Sequence, residues 1–433
     1  IASQVHRAAR DPGGRVAAVR RAWGTGALAL GVLAMAAISG CSSDASSPSS
    51  SADRSTTSTT SAASAAIEPE AYDGPVDGFY EVPDPLPDGD PGDLLRVQRI
   101  GEDDGRITDR VMYLSEDSTG APRATTGVIT YPTADAPDDG WPVVSTAHGT
   151  TGIATQCAPS RTATAAPDWG VDGVWAMTDY IGLGPIGERH AYLSKADEGN
   201  AVIDIVRAAR NLPDAHAGNR WLSVGHSQGG HGALAAHELA ADRAPELQLE
   251  ATVALAPAAL LDRVYGGIDP IVTTILTMMG VYGSQAESAA MTPGDYFTPE
   301  ALEASEVFDT GCLGEITDAL IPVALDGAFA HDPRETEPAR SVILDNDVGA
   351  TAVDGVPLFL ASGTKDDRVV IDRFRDTARQ ICETGQVARV VVVPDATHDS
   401  VIGAVSDQVT AFLDDALAGR PPTDDCPEVL AAG

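Results

Sequence analysis

Arg220-Trp221-Leu222-Ser223-Val224-Gly225-His226-Ser227-Gln228-Gly229-Gly230-His231 begins as an apolar, strand-like run and enters a tight turn. Ala233-Leu234-Ala235-Ala236 then continues with good helix formers. The stretch reads as strand, sharp turn and helix, with Gly225-x-Ser227-x-Gly229 at the bend. A serine on such a turn takes strained backbone angles, and its hydroxyl stands clear of the sheet. Glycines two residues before and two after let strand and helix approach closely. The helix points its N-terminus at the serine, where negative charge develops during acyl transfer. The pentapeptide alone is a weak signal in an Ala/Gly-rich chain. Its flanking strand and helix raise the nucleophile reading above that of an ordinary turn.

The surrounding elements give the same architecture. Leu95–Ile100 and Asp109–Leu114 read as half-exposed strands, the first by clear alternation, and Gly127–Pro132 reads as another strand. Pro142–Ala147 leads into His148-Gly149-Thr150, and Gly173–Thr178 leads into Asp179-Tyr180. A helix is expected over about 195–211 and a strand over Glu250–Leu255. The sheet resumes at Pro357–Ser362, followed by a helix over Ile371–Glu383 and a buried strand over Val387–Val393. Strands alternating with helices argue an α/β fold: a mostly parallel sheet covered on both faces. Ligand sites in such sheets lie beyond the carboxyl ends of the strands, where His148, Asp179 and Ser227 all fall. Residues 258–345 break the rhythm. They are helical in pattern, carry the apolar run Ile271–Met279, and read as an inserted cap. The core is then 67–257 with 346–433.

Composition narrows the partners. Of 433 residues, 43 % are hydrophobic, ample for a sizeable core, and the formal charge is −35. Such an acidic chain repels phosphate backbones, which argues against a nucleic-acid partner. No HExxH or paired CxxC pattern occurs, so a zinc site is not expected, and nucleophilic chemistry at a serine needs no metal or other cofactor.

Residues 1–40 read as a signal peptide rather than as fold. Arg15, Arg20 and Arg21 precede an uncharged, mostly apolar stretch from Ala22 to Ile38, short for a membrane span. Ile38-Ser39-Gly40-Cys41 then resembles the bacterial lipobox, in which the cysteine is lipidated and becomes N-terminal. The expectation is a lipoprotein anchored through Cys41 on the outer face of the cytoplasmic membrane, with simple secretion as the alternative. Residues 42–66, nearly all Ser, Thr and Ala, read as a disordered tether. The Pro-rich segment 75–91 reads as an irregular surface lead-in.

A serine hydroxyl needs a base, and the base needs an orienting carboxylate. In an α/β-hydrolase they follow the serine in the order acid, then histidine. Past the strand 357–362 comes Gly363-Thr364-Lys365-Asp366-Asp367, and past the last strand comes Pro394-Asp395-Ala396-Thr397-His398. One helix and one strand separate Asp366 from His398, which sets their loops side by side. Asp367 is the alternative acid. Asp395 lies too near His398 along the chain to orient it easily. His226, His231 and His237 are assigned to packing. His190, His216 and His331 have no strand-end context. The oxyanion needs two backbone N–H donors: Gln228, just after the nucleophile, and Thr150, with Thr151 as second choice. An acyltransferase, amidase or polyester hydrolase could use the same set. A non-catalytic surface-binding lipoprotein is the rival from another class, and it would usually lack one of the three residues.

His148-Gly149-Thr150, Cys157-Ala158-Pro159-Ser160, Asp179-Tyr180-x-Gly182-x-Gly184 and Arg207-Ala208-Ala209 before Gly225–Gly229 together resemble the secretory lipase family. These are α/β-hydrolases similar to fungal lipase A of the Candida antarctica type. The resemblance spans roughly Val97 to Cys426. It implies hydrolysis of acylglycerols or related carboxylic esters, a helical cap over the acyl site, and the set Ser227, Asp366 and His398. The fungal type carries an acidic side chain near the oxyanion position where Thr150 and Thr151 stand here, so its pH behaviour does not carry over. Besides Cys41 there are four cysteines. An even set in an exported protein suggests two disulfides, with three possible pairings. The resemblance favours Cys157–Cys312, tying core to cap, and Cys382–Cys426, pinning the tail.

Overall fold

The computed structural model describes residues 67–264 and 270–432. The expected signal peptide, Cys41 and the tether through residue 66 lie outside the described residues. Among those residues ten strands form one sheet. They are β1 Glu70–Ala71, β2 Leu94–Asp103, β3 Arg106–Glu116, β4 Pro122–Pro132, β5 Trp141–Ala147, β6 Val174–Thr178, β7 Ala217–His226, β8 Gln248–Leu255, β9 Leu358–Gly363 and β10 Ala388–Val393. The helices are α1 Val76–Phe79, α2 Lys195–Asn211, α3 Gln228–Arg243, α4 Leu261–Val264, α5 Pro270–Gly283, α6 Pro299–Ala304, α7 Leu313–Asp326, α8 Ala339–Asp345, α9 Ile371–Glu383, α10 Ser400–Leu417 and α11 Cys426–Ala431.

The strand order is β1-β2-β3-β4-β6-β5-β7-β8-β9-β10. β2, β3, β4 and β6 pair antiparallel, whereas the run from β6 through β5 to β10 is parallel. From β5 the chain steps to β6 on one side, then returns through α2 to β7 on the other. The order therefore reverses beside β5, and the crevice at that switch lies between the ends of β5 and β7. The His148 loop leaves the first of these strands and Ser227 the second.

Local sequence explains the elements that flank this crevice. Helix α2 starts where the Ser194 side chain accepts from the Asp197 N–H, and it stops just before Pro213. Side chains alternate across β7. Trp221 packs in an apolar cluster with Val143 and Val206, and Leu222 and Val224 pack in another with Leu234, Phe359 and Phe374. The sheet is thus filled from both faces, which holds its strand ends fixed.

Three expectations need correction. The lead-in is not merely surface: Phe79 and Tyr80 are fully buried, and Arg96 donates to the carbonyls of Phe79 and Glu81. β3 is buried along most of its length rather than half-exposed, because β2 and β4 flank it and α2 covers it. β10 is the edge of the sheet and only partly buried; its valine run faces α11 and solvent instead of a further strand.

Between β8 and β9 the described residues form helices α4 to α8 and no strand. The apolar face of α5 is covered, with Ile275, Met278 and Met279 buried against neighbouring helices. Cys312 caps α7 and is joined to Cys157, with Cα atoms 5.4 Å apart. The second disulfide joins Cys382 on α9 to Cys426 on α11. Gly152 has φ +135°, and a Cβ there would lie 2.8 Å from the Cys157 sulfur, so the crossing of chain and disulfide requires glycine.

Candidate active site

Ser227 joins β7 to α3 at φ 59°, ψ −119°, a region that L-residues rarely occupy. Its surroundings impose this geometry. The Ser227 N–H donates to the Leu255 carbonyl at 2.9 Å, and the Ser227 carbonyl accepts from Ala258 and His231 at 3.1 Å each. A Cβ on Gly225 would lie 1.9 Å from the Gly229 oxygen, and one on Gly229 1.9 Å from the Ala147 oxygen. Strand, helix and the neighbouring strand end are therefore in contact through bare backbone. The first N–H groups of α3 have no intrahelical partner, and they carry the positive end of the helix dipole beside Ser227.

His398 and Asp366 meet as a buried pair. His398 Nδ1 donates to Asp366 Oδ2 at 2.8 Å, with Oδ1 at 3.0 Å. Oδ1 also accepts from the N–H groups of Arg368 and Val369 at 2.9 and 2.8 Å. Burial alone would push this carboxyl up. The hydrogen bond and charge of His398, with the two N–H groups, hold it below its ordinary value. The neighbouring acid Asp367 is half-exposed near Arg368, and Asp395 is exposed on Lys365 at 2.8 Å. Neither is placed as Asp366 is. The His398 main chain lies against the elbow, since its carbonyl accepts from His226 Nε2. The His226 imidazole is pushed down to about 4, first by burial and then by His398. It is therefore neutral near pH 7.

The loop after β5 faces the elbow from the other side. His148 is buried, and its carbonyl accepts from the Tyr180 hydroxyl at 2.8 Å. Thr150 Oγ1 lies 2.8 Å from the Tyr192 hydroxyl. Thr151 is tied instead to α7, its carbonyl accepting from Leu313 at 2.8 Å. A groove of about 530 Å³ opens beside this loop, lined by His148, Gly149, Trp169, Met177, His226 and Ile402.

Asp179 is fully buried and serves the framework. Its carboxylate accepts from the Ser160 N–H at 2.8 Å, from the Ser160 hydroxyl and from Thr126 Oγ1 at 2.6 Å. Sequence reading missed a further buried group, Glu198 with His190, His231 and the Gln228 side chain. Among the described residues no group of three His, Cys, Asp or Glu side chains is arranged to hold a metal ion.

A switch-point crevice, a strained serine after a central parallel strand and a buried His–Asp pair on two later strand-end loops define the α/β-hydrolase class. Comparison with known proteins narrows it. The model of the secretory lipase family matches residues 170–425, and the chain belongs to that family. The structure is similar to Candida antarctica lipase A in its closed state, at 16 % identity and TM-score 0.65, over 83 % of this chain and 89 % of that one. It is also similar to a rice cell wall degrading esterase, LipA, from Xanthomonas oryzae, at 20 % identity and TM-score 0.60, over 73 % and 92 %. A putative hydrolase from Legionella pneumophila aligns at 18 % identity and TM-score 0.62, over 73 % and 91 %. At these identities the likeness is one of fold. No curated protein sequence matches the chain.

Proposed function

We propose that this protein is an exported serine hydrolase of carboxylic esters, a lipase or esterase acting on acylglycerols or related esters. The observation that carries the reading is the buried Asp366–His398 pair, tied through His226 to the strained Ser227 elbow. Ser227 Oγ attacks the ester carbonyl while His398 Nε2 takes its proton. The carbonyl oxygen becomes an oxyanion held by the N–H groups of Gln228 and Thr150. Its collapse expels the alcohol, protonated by His398, and leaves an acyl-enzyme on Ser227. Water, deprotonated by His398, then releases the carboxylic acid and restores the serine. Asp366 orients the ring and stabilises the imidazolium throughout. No cofactor enters these steps.

The helices of 258–345 serve as a cap over the acyl site in this reading, tied to the core by Cys157–Cys312. The family is a secretory one and the chain holds two disulfides, in keeping with export. The Ile38–Cys41 pattern supports anchoring through lipidated Cys41, and globomycin treatment should then make the precursor accumulate.

The deciding experiment is hydrolysis of p-nitrophenyl esters from acetate to palmitate by the exported protein, beside Ser227→Ala and His398→Ala. Each variant should lose about 10³-fold or more in kcat/KM. A fluorophosphonate should label wild type but not Ser227→Ala. Undiminished turnover in both variants would overturn the mechanism.

A further inference from the structure

The most elaborate polar cluster away from the His398–Asp366 pair lies directly behind the elbow. Glu198, in the first turn of α2, has a side chain with no solvent exposure. A carboxylate is favoured at that helix end by the dipole, but burial must still be offset by donors. It has several. Oε1 accepts from the Leu193 N–H at 3.0 Å and from Gln228 Nε2 at 2.8 Å. Oε2 lies 2.6 Å from Nδ1 of His231, which is also fully buried.

The protonation of His231 follows from its partners. Nδ1 faces the Glu198 carboxylate, and Nε2 faces the Asn346 carbonyl at 2.8 Å. Both are acceptors, so both ring nitrogens carry hydrogens and the ring is an imidazolium. Burial opposes that charge, yet Glu198 raises the imidazole above its ordinary value. The carboxylate is therefore neutralised where it stands. It can hold groups near the oxyanion without setting a net negative field against it.

Gln228 is the point of contact with the chemistry. Its backbone N–H is one of the two oxyanion donors, and its side chain runs back into this cluster. The amide NH₂ meets Glu198 and also lies 2.8 Å from His190 Nε2. His190 Nδ1 donates to the Ile181 carbonyl at 2.9 Å, and its Nε2 also lies 3.4 Å from Glu198 Oε1. With the NH₂ turned to Glu198 and His190, the buried amide oxygen has no hydrogen bond. The same segment reaches the other donor. The Tyr180 ring stacks on His190, with centroids 5.4 Å apart, and its hydroxyl holds the His148 carbonyl. Tyr192, beside Leu193, meets Thr150.

We propose that Glu198, charge-balanced by His231, is a positioning residue that clamps Gln228 through its side chain and so fixes the oxyanion-binding N–H of Gln228. The inference depends on the ester-hydrolase reading given above. In that reading the amide must be aimed at an oxygen that carries full charge only in the transition state. Preorganisation of such donors is where hydrolases gain most of their rate. The clamp supplies it from a residue that never touches substrate.

The test compares wild type with Glu198→Gln and Gln228→Met, using p-nitrophenyl butyrate and an alkylboronic acid. The boronate adds to the serine oxygen and presents a tetrahedral, anionic centre to the same donors. Glu198→Gln places an amide against Gln228 and His231 and should lower kcat about 10- to 100-fold, with KM within about twofold. Gln228→Met keeps the backbone N–H and the Glu198–His231 pair but removes the tether. It should lower kcat about tenfold. In both variants boronate affinity should fall by the same factor as kcat. Combining Glu198→Gln with Gln228→Glu restores a donor–acceptor match across the clamp and should recover part of the loss.

Unchanged kcat and boronate affinity in Gln228→Met would overturn the proposal, whether or not Glu198→Gln folds. A fall in kcat without loss of boronate affinity would overturn it too, since the effect would then lie outside the oxyanion site. A wild type that neither hydrolyses esters nor takes a fluorophosphonate would instead overturn the hydrolase reading, and the clamp with it.

Discussion

His226 donates its Nε2–H to the main-chain carbonyl of His398 across 2.8 Å, and the two rings lie 4.5 Å apart. The residue before the elbow serine thus braces the loop that carries the proposed base. Asp366 fixes the His398 ring from its Nδ1 side, while His226 fixes its backbone. The two supports are separate, and loss of one leaves the other.

His226→Phe separates them. Phenylalanine keeps an aromatic ring against His398 but cannot donate to its carbonyl. We expect kcat to fall about 3- to 30-fold, as for loss of a single positioning contact. The acid limb of the pH–rate profile should not move. His226, pushed down to about 4, carries no charge above about pH 5, so its removal changes no charge beside His398 there. A displaced acid limb in steady-state assays from pH 5 to 9 would mean that His226 titrates with His398, against this reading.

Gly229→Ala probes the elbow itself. The added Cβ would meet the Ala147 carbonyl at 1.9 Å, a backbone atom that cannot turn aside. Either α3 shifts away from β5 or the strand end moves, and both displace the Gln228 N–H. We expect loss of activity of at least about 10²-fold, with a Tm lowered by several degrees. Gly120→Ala is the control for expression. That glycine has φ +79° but open space around it, so only backbone strain opposes the change.

What was legible in the sequence, and what was not, follows the range of the signals. The elbow is a local pattern of strand, glycine and helix, and β7, Ser227 and α3 lie where that pattern put them. The α2 and α9 helices are long and periodic, and their observed bounds agree with the reading of 195–211 and 371–383. β1, by contrast, has only two residues, too few for any period to register. The valines of 387–393 are as apolar as a central strand, and nothing local says that the sheet ends beside them. Glu198 on α2 reads as one more charge on a solvated helix. Its partners Gln228 and His231 lie 30 and 33 residues away, and only the packing of α2 on α3 brings them together.

Asp197→Asn tests whether a buried charge is tolerated rather than used. Asp197 precedes Glu198, is 4 % exposed, and accepts from the Ser118 N–H at 2.7 Å. Burial pushes its carboxyl up to about 7. The folded state therefore binds a proton more readily than the unfolded chain, whose carboxyl titrates near 4. Stability from this group falls as pH rises from about 4 to about 7, and the full cost of the buried charge stands above that window. Asparagine keeps the acceptor for Ser118 and removes the charge. We expect the variant to be more stable than wild type at pH 8 by up to about 4 kcal/mol, with the gain vanishing near pH 4. Thermal unfolding at both values checks this. A variant less stable at pH 8 would mean that the carboxylate is compensated by groups beyond Ser118.

The two disulfides should differ in what they hold. Cys382–Cys426 closes 44 residues and pins α11 under the edge strand, within the core itself. Cys157–Cys312 closes 155 residues and ties the loop after β5 to the cap of α7. Chain entropy alone gives the longer loop the larger share, with about 3–5 kcal/mol for either. The consequences for activity should run by location instead. The Cys382→Ala, Cys426→Ala pair should lower Tm and leave kcat/KM within about twofold, because neither residue nears the crevice. The Cys157→Ala, Cys312→Ala pair frees α7 from the segment that follows Thr150 and Thr151. It should lower Tm and also shift the preference among p-nitrophenyl esters of different chain length, if the helices of 258–345 form the proposed cap over the acyl site. An unchanged chain-length profile in that second variant would argue that α7 holds its position without the disulfide, through the Leu313–Thr151 hydrogen bond and the packing of Ile316 and Leu320 alone.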